Sequence, residues 1–440
     1  MKKLLNNRFI RIEADSKGVA SIFLFKQRQK LYKVIYFGKN GGYKEWRVMR
    51  MKRFVSLLVT SLLLTSLWGP SAFAAEEKKS ADIVSNVKSA ILIERDTGAV
   101  LYEKNSKDEL PPASMTKVMT MLLIMEAIDK GKLTWNEKIR ASEYAASMGG
   151  SQIFLEPGEE MTTKEMLRGI AIGSGNDASV AMAERIAGSE EAFVDMMNDK
   201  AKELGLKHTF FKNTTGLPVS GHYSTAADMA IMAKELLKYE DITKFTGMYE
   251  AYLRENTDKK FWLVNTNKLV RFYPGVDGLK TGFTAEAKYC LTATAQKDGM
   301  RVIAVVFGAP TSKERNAQVT KMLDYAFSQY KTHPMFKRNQ IIGEAKISKG
   351  KDKTVEAVTS EPLSLLTKKG EKTENVKQTV VMAKNLKAPI AKGDQVGTIK
   401  LMKDGKVILE SPIVAKKAVK EAGWWTLYKR SFGMFTKAGK

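Results

Sequence analysis

The pattern of apolar and polar positions predicts two β hairpins that lie far apart in the chain. Residues 90–102 contain two apolar runs separated by Asp96-Thr97-Gly98, which is typical of a turn. Residues 289–296 and 301–307 form a second pair of β-rich runs around Asp298-Gly299, a strong hairpin signal. We therefore expect a sheet that distant segments of the chain complete together.

Apolar residues recur at helical spacing between these hairpins and after the second one. This spacing predicts helices over 114–129, 162–187, 190–204 and 312–330. Pro111-Pro112 ends the extended chain, so Ser114 lies in the first turn of the first helix. Sheet segments with helices between them predict an α/β (α+β) domain with an antiparallel sheet and a helical lobe, over residues 80–333.

The composition changes after this domain. Residues 336–415 are rich in lysine and alternate between apolar and polar positions, with turn signals at Gly393-Asp394 and Asp404-Gly405. We expect a separate small all-β domain there.

The last segment, 416–440, is predicted to contain an amphipathic helix. At helical spacing, one arc carries the aromatic residues and the opposite side carries the cations: Trp424, Trp425, Tyr428, Phe432 and Phe435 against Lys429, Arg430, Lys437 and Lys440. This arrangement is typical of a helix that lies on an anionic membrane surface. The alternative is a helix packed against its own protein.

Residues 51–74 have the three parts of a secretory signal. Met51-Lys52-Arg53 precedes an apolar run, and Ala72-Phe73-Ala74 is typical of a cleavage site. A retained membrane helix is the alternative. Residues 1–50 precede this signal, and we expect them to be an untranslated or non-native extension, because Trp46-Arg47 can be encoded by a purine-rich ribosome-binding sequence.

Charge and composition narrow the class of function. The net charge of +24 suits either nucleic acid or an anionic membrane and wall surface. The export signal favours the second, so we expect no nucleic-acid partner and a peripheral location on the outer face of the cytoplasmic membrane. Cys290 is the only cysteine, and the three histidines lack metal-binding spacing. We expect no metal and no cofactor, and interpret Cys290 as a core residue.

Three short motifs carry the candidate chemistry. Ser114 and Lys117 have the Ser-x-x-Lys spacing, which at a helix start places both side chains on one face. Ser174-Gly175-Asn176 and Lys280-Thr281-Gly282 follow in order. Together they match the signature of penicillin-binding proteins and class A β-lactamases, with Gly175 where that signature has aspartate.

The motifs divide the chemistry between them. Ser114 is the predicted nucleophile and Lys117 its base, provided that burial, the helix N-terminus and the charge of Lys280 lower the lysine pKa. Ser174 can relay a proton and Asn176 can bind a substrate amide. Lys280 and Thr281 would bind an anionic substrate, while Gly282 would let it add along the strand edge, with backbone N–H groups of Ser114 and Phe283 as an oxyanion hole.

With these motifs, and with the stretches 212–218, 222–228 and 274–284, the chain resembles the low-molecular-mass penicillin-binding proteins, the serine D-alanyl-D-alanine carboxypeptidases, and closely resembles their sporulation-associated members. The resemblance covers residues 80–440. It implies a serine-acyltransferase/β-lactamase-like fold, a peptidoglycan stem peptide ending in D-Ala-D-Ala as substrate, attack by Ser114 on the penultimate D-Ala, and covalent inhibition by β-lactams. Phe283 departs from relatives that have histidine there.

Two alternatives stay open at this point. A secreted serine β-lactamase would use the same nucleophile, but the sequence offers no assignable glutamate for its deacylating water. A non-catalytic, membrane-bound wall scaffold could keep the fold; the intact Ser114, Lys117 and Lys280 argue against it.

Overall fold

The computed structural model describes residues 83–371, 373, 376–403, 405–426 and 428–429, and five strands within residues 1–45. The chain divides into two compact units, Met1–Lys78 and Lys79–Lys440. In the first unit, the strands form an antiparallel sheet in sequence order: β1 (Leu4–Leu5), β2 (Arg8–Ala14), β3 (Ala20–Lys26), β4 (Lys33–Phe37) and β5 (Tyr43–Glu45). The predicted signal peptide at 51–74 lies outside the described residues.

The second unit contains the predicted hairpins and helices. Its strands are β6 (Ser89–Glu94), β7 (Val100–Lys104), β8 (Lys138–Arg140), β9 (Glu160–Thr162), β10 (Glu250–Leu253), β11 (Phe261–Val264), β12 (Val276–Thr284), β13 (Lys288–Lys297), β14 (Met300–Ala309), β15 (Tyr330–Phe336), β16 (Ile341–Ser348), β17 (Thr354–Thr359), β18 (Leu363–Lys368), β19 (Val376–Met382), β20 (Leu386–Lys387), β21 (Gln395–Lys403) and β22 (Lys406–Ala415). Its α-helices are α1 (Lys117–Asp129), α2 (Glu143–Ala146), α3 (Thr163–Arg168), α4 (Asn176–Ala187), α5 (Glu190–Glu203), α6 (Ala226–Leu236), α7 (Thr243–Thr246), α8 (Leu269–Phe272) and α9 (Ser312–Gln329).

A five-stranded antiparallel sheet, in the order β12-β13-β14-β6-β7, forms the centre of the first domain. Early and late chain segments meet where β6 pairs with β14, which confirms the expected sheet. Successive residues of a strand point to opposite faces. In β14, Ile303 packs on the side of the helical lobe, while Val302 and Ala304 pack on the side of α9. The sheet is thus buried on both faces, and β12 is one of its edges.

The helix predicted over 162–187 is interrupted. After α3, a π-helical turn at Gly169–Gly173 ends at Ser174, which has a left-handed backbone (φ 62°), and α4 begins only at Asn176. The periodicity of the apolar residues continues across this break, so the sequence pattern did not reveal it. The break turns the Ser174-Gly175-Asn176 segment towards α1.

The C-terminal all-β domain contains a six-stranded sheet in the order β19-β21-β22-β17-β16-β20, and β18 pairs with β15, which spans the predicted border at 333–336. Polar contacts join it to the first domain: Arg338 Nη1 donates to the carbonyl of Lys238 at 2.9 Å, and Ser364 donates to the Asp96 carboxylate.

The chain that follows β22 begins as an extended segment and not as a helix. Val419 and Glu421 form isolated bridges with Ile390 and Gly350 of the β domain. Helical residues begin at Trp424, so residues 416–422 of the predicted helical segment 416–440 belong to the β domain, and residues 430–440 lie outside the described ones. Within the described part of the chain, no helix is long and apolar enough to cross a membrane.

Candidate active site

Ser114 lies on a short 3₁₀ turn that leads directly into α1. The turn, Ala113–Thr116, follows Pro111-Pro112, and α1 behind it is buried along nearly its whole length. This burial follows from the run of methionine and leucine, which leaves no polar face. Ser114 stays partly exposed while Lys117 is 0% exposed, and their Oγ and Nζ atoms lie 3.1 Å apart. A reachable hydroxyl therefore contacts a buried amine.

The Lys117 amine makes three close contacts. Besides Ser114, Nζ lies 2.6 Å from Asn176 Oδ1 and 2.9 Å from the carbonyl oxygen of Thr215. Both of these oxygens are acceptors. A neutral amine has two N–H donors and one lone pair, so donating to the two oxygens directs the lone pair at the Ser114 hydroxyl. The geometry fits an amine that accepts the serine proton.

The surroundings also favour the neutral amine. Burial, followed by the positive charge of Lys280, holds the pKa of Lys117 well below its usual range, while the Asp177 carboxylate opposes this shift. The direction and both causes agree with the expectation from the sequence.

Asn176 positions Lys117 and also a neighbouring loop. Its Nδ2 donates to the carbonyl of Gly149 at 2.6 Å, and the next residue, Asp177, accepts from the backbone N–H groups of Ile153 and Leu155 at 3.0 Å each. Asn176 Oδ1 already accepts from Lys117 and Nδ2 already donates to Gly149, so the predicted contact with a substrate amide would use the second N–H or the second lone pair of the oxygen. Asn176 thus contacts the base directly, whereas its contact with substrate stays a prediction.

Ser174 is buried beside this pair, at 4% exposure. Its left-handed backbone begins the turn into α4. Among the described residues, no hydrogen bond joins its side chain to Ser114 or Lys117, so the proton-relay role stays a prediction.

The third motif lies on the edge strand β12. Lys280 is 1% exposed, and its Nζ donates to the carbonyl of Thr281, whose Oγ1 donates to Thr266 at 2.7 Å. Burial, and after it the charge of Arg315, lower the pKa of Lys280 to about 7. Lys280 therefore changes its charge within the ordinary working range of an enzyme.

Gly282 and Phe283 lie at the end of β12 that faces the nucleophile. A Cβ atom at position 282 would lie 2.8 Å from the carbonyl oxygen of Pro112, so glycine lets the edge strand approach the Ser114 turn. The sequence alone did not reveal this close approach as the reason for a glycine at position 282. The binding of substrate as an added strand along β12 stays a prediction. Phe283 is 55% exposed and packs against Tyr289, with ring centroids 4.4 Å apart.

Two contributors to the site carried no signal in the motifs. The Thr215 carbonyl that contacts Lys117 comes from 98 residues further along the chain. His222 Nε2 lies 2.8 Å from Thr116 Oγ1, within the Ser-x-x-Lys segment itself. In the sequence, the stretches 212–218 and 222–228 stand out only by their resemblance to a family.

A cavity of about 620 Å³ adjoins the Ser114 turn. Its walls are formed by residues 109–113, by the loop 216–223, by Thr284 at the end of β12 and by Glu286 just after it. Within the described residues, no group of three or more histidine, cysteine, aspartate or glutamate side chains could hold a metal ion. The cavity thus adjoins the Ser114 turn, but Ser114, Lys117 and Lys280 are not among its lining residues.

The model of the D-alanyl-D-alanine carboxypeptidase family (peptidase S11) matches residues 74–311, which is more than half of the chain. The chain belongs to the D-alanyl-D-alanine carboxypeptidase family. This confirms the activity class and the resemblance inferred from the motifs. A second match, to the C-terminal domain of penicillin-binding protein 5, covers residues 330–421.

Individual members of the D-alanyl-D-alanine carboxypeptidase family agree with this assignment. The chain is 66% identical over 388 residues to the D-alanyl-D-alanine carboxypeptidase DacF of Bacillus subtilis, covering 88% of this chain and 100% of that one. It is 35% identical to DacC of Escherichia coli, covering 82% and 90%.

Solved structures of family members have the same fold. Penicillin-binding protein 5 of Haemophilus influenzae superposes with a TM-score of 0.58 at 31% identity, covering 76% of this chain and 98% of that one. Penicillin-binding protein D2 of Listeria monocytogenes, in an ampicillin-bound form, gives 0.50 at 31% identity, covering 55% and 98%. The predicted antiparallel sheet with helices, followed by an all-β domain, is confirmed.

Proposed function

We propose that this carboxypeptidase removes the terminal D-alanine from peptidoglycan pentapeptides through an acyl-enzyme on Ser114. The observation that carries the proposal is the Lys117 amine, which is buried and contacts two acceptors and the Ser114 hydroxyl at 3.1 Å. A serine becomes an effective nucleophile only when a neighbouring base takes its proton.

The reaction proceeds in two steps. Ser114 Oγ attacks the carbonyl of the penultimate D-Ala while Lys117 takes the hydroxyl proton. Collapse of the tetrahedral intermediate breaks the peptide bond, and the departing D-Ala amine receives a proton through Ser174. Water then attacks the ester, its proton passes to Lys117, and Ser114 is regenerated. Backbone N–H groups of Ser114 and Phe283 stabilise the oxyanion.

Lys280 and Thr281 bind the C-terminal carboxylate of the peptide in this proposal. Lys280 is charged below its pKa of about 7 and lies one residue from the Thr281 hydroxyl. A β-lactam antibiotic carries a comparable carboxylate beside a reactive carbonyl, so it acylates Ser114 in the same way. The ampicillin-bound relative supports this second class of ligand.

Intact-protein mass spectrometry tests the proposal. The purified protein is mixed with benzylpenicillin and its mass is followed over time, with Ser114→Ala as the control. We expect a persistent adduct of one penicillin in the native protein and none in the variant. Rapid antibiotic hydrolysis without an adduct would favour a β-lactamase, and no reaction at all would favour a scaffold; either result overturns the proposal.

We propose further that the protein is exported by residues 51–74 and held at the outer face of the cytoplasmic membrane by its C-terminal segment. Trp424, Trp425 and Tyr428 are 66%, 67% and 48% exposed, and the rings of Trp424 and Tyr428 stack at 5.4 Å. Such aromatic side chains partition favourably into the interfacial region of a bilayer.

Sedimentation with vesicles tests the anchor. The full-length protein should bind vesicles that contain anionic lipid, and deletion of residues 424–440 should release it. Replacing Trp424 and Trp425 by serine should weaken binding without changing the thermal midpoint. Equal binding by the deleted protein would contradict the proposal, as would a full-length protein that stays in solution.

A further inference from the structure

The Thr215 carbonyl contacts the Lys117 amine but belongs to no helix or strand. It lies in the loop 213–217, and its oxygen is 2.9 Å from Lys117 Nζ. A backbone carbonyl can orient the amine only if its own peptide group is held against rotation. Whatever fixes this loop therefore helps to determine where the lone pair of Lys117 points.

The side chain of Asn213 spans that loop. Its Oδ1 accepts from the backbone N–H groups of Thr215 and Gly216, at 3.2 and 2.7 Å, and from the Thr215 hydroxyl at 3.3 Å. Its Nδ2 donates to the carbonyl of Leu217 at 3.0 Å. Asn213 thus holds the peptide group that contains the Thr215 carbonyl and the peptide group before it. This is the arrangement by which asparagine side chains fix turns.

Other contacts keep the loop in place without fixing that carbonyl. Glu190 accepts from the N–H and the hydroxyl of Thr214, and Thr120 donates to the Thr214 carbonyl at 2.7 Å. These contacts hold Thr214, the residue before Thr215, and none of them involves the Thr215 carbonyl. Loss of the Asn213 side chain therefore leaves the loop docked on α1 and α5 but releases the Thr215–Gly216 peptide group.

We propose that Asn213 is a positioning residue for the catalytic base. It makes no hydrogen bond to Lys117 or Ser114 among the described residues, and it acts by holding the Thr215 carbonyl that aims the amine at the Ser114 hydroxyl. This inference rests on the proposed function, in which Lys117 takes the serine proton.

Acylation kinetics test the inference. Asn213→Ala, Asn213→Asp and Asn198→Ala are compared with the native protein by stopped-flow reaction with a fluorescent penicillin, which separates the binding constant from the acylation rate constant. Asn198→Ala is the matched control, because Asn198 also supports this region, through two hydrogen bonds to the backbone of Phe211, but away from Lys117.

Asn213→Ala should lower the acylation rate constant by roughly 10- to 100-fold, the scale expected for a misplaced reacting group, with little change in the binding constant. Asn198→Ala should lower the thermal midpoint without changing the rate constant. Asn213→Asp keeps all three acceptor contacts, and its negative charge favours the ammonium form of Lys117. It should therefore acylate normally at high pH, with its acidic limb moved to higher pH.

The results separate the inference from the proposed function. An unchanged rate constant in the folded Asn213→Ala protein, or a loss confined to binding, overturns the inference. Should that variant fold poorly, Asn213→Asp decides at high pH, where Lys117 is neutral in both proteins. A native acylation rate constant, as expected from its retained acceptor contacts, supports the inference, and a reduced one overturns it. An adduct that persists in Ser114→Ala overturns the proposed function instead.

Discussion

Lys280 and Lys117 are almost completely buried, at 1% and 0% exposure, and this burial, followed by the positive charge of Lys280, lowers the pKa of Lys117. Two cations this close would be unfavourable in a site with no other purpose. In the proposed mechanism, burial and, after it, the repulsion favour the neutral amine of Lys117 for proton transfer, while Lys280 stays available for an anionic substrate. The charge of Lys280 therefore contributes to keeping Lys117 in its neutral, proton-accepting form.

Replacing Lys280 by glutamine should affect both roles. Without the neighbouring charge, the pKa of Lys117 rises. Because the base works only when neutral, the acidic limb of the acylation rate should move to higher pH. The value of kcat/KM for a D-Ala-D-Ala peptide should also fall by about 30-fold or more, since a hydrogen bond to a charged group contributes about 2 kcal/mol. Lys280→Arg should keep the limb near its native position, and an unmoved limb in the glutamine variant would contradict the coupling.

The titration of Lys280 predicts a basic limb. With a pKa of about 7, Lys280 loses its charge as the pH rises through neutrality, so KM for a peptide with a free C-terminal carboxylate should increase there. Arg315 is one cause of this low pKa. Arg315→Gln should therefore raise the pKa of Lys280 and move the increase in KM to higher pH.

Lys313→Gln provides the control for Arg315, because Lys313 lies exposed on the same helix. Steady-state kinetics between pH 6 and 9 measure how KM changes with pH for each variant. Equal profiles for both variants would show that Arg315 does not act on Lys280.

The sequence predicted the contacts that local spacing or the three motifs indicate, and missed the distant contacts that belong to no motif. Ser114 and Lys117 meet because three residues make about one helical turn, and the hairpins form because Asp298-Gly299 is a turn signal. No such local rule brings Thr215 to Lys117 across 98 residues. Only the tertiary packing of loop 213–217 against α1 makes that contact.

The same distinction explains the break in the predicted helix over 162–187. Local spacing gives a continuous apolar face, but Ser174 adopts a left-handed backbone and Asn176 N–H bonds to the carbonyl of Ser151 at 2.7 Å. Competition from a distant carbonyl, together with the packing of Ile153 against Gly169 and Gly175, outweighs local propensity. The functional motif lies where the local rule fails.

Gly216→Ala should lower stability and acylation far more than a glycine-to-alanine change at another position with positive φ. Gly216 has φ +83°, and a Cβ there would lie 1.8 Å from the carbonyl oxygen of Ala113, the residue before the nucleophile. The loop or the Ser114 turn must move, so we expect destabilisation by about 3 kcal/mol or more and loss of acylation.

Gly205→Ala is the matched control for Gly216. Gly205 has φ +71° but no neighbour within 4 Å of the added methyl group, so it should cost only about 1 kcal/mol of backbone strain and leave acylation unchanged. Chemical denaturation and penicillin labelling give the two readouts. Similar effects of both changes would mean that the approach of Gly216 to Ala113 does not matter.

His222 connects the cavity loop to the Ser-x-x-Lys segment as a neutral imidazole. Its Nδ1 accepts from the backbone N–H of Lys212 at 3.2 Å, so Nε2 carries the proton and donates to Thr116 Oγ1 at 2.8 Å. Burial lowers the pKa of His222 to about 4. Protonation would place a second N–H against that of Lys212, which agrees with the direction of the shift.

The pH dependence of stability should reveal this histidine. Its pKa is lower in the folded than in the unfolded protein, so its contribution is present in full above about pH 6.5 and is lost as the pH falls towards 4. His222→Gln keeps a donor and an acceptor but does not titrate, and its thermal midpoint should fall less than that of the native protein over this interval. His222→Leu leaves Thr116 and Lys212 without partners and should lose about 2 kcal/mol at pH 7. Parallel pH curves for the native and glutamine proteins would show that the pKa of His222 is the same in the folded and the unfolded protein.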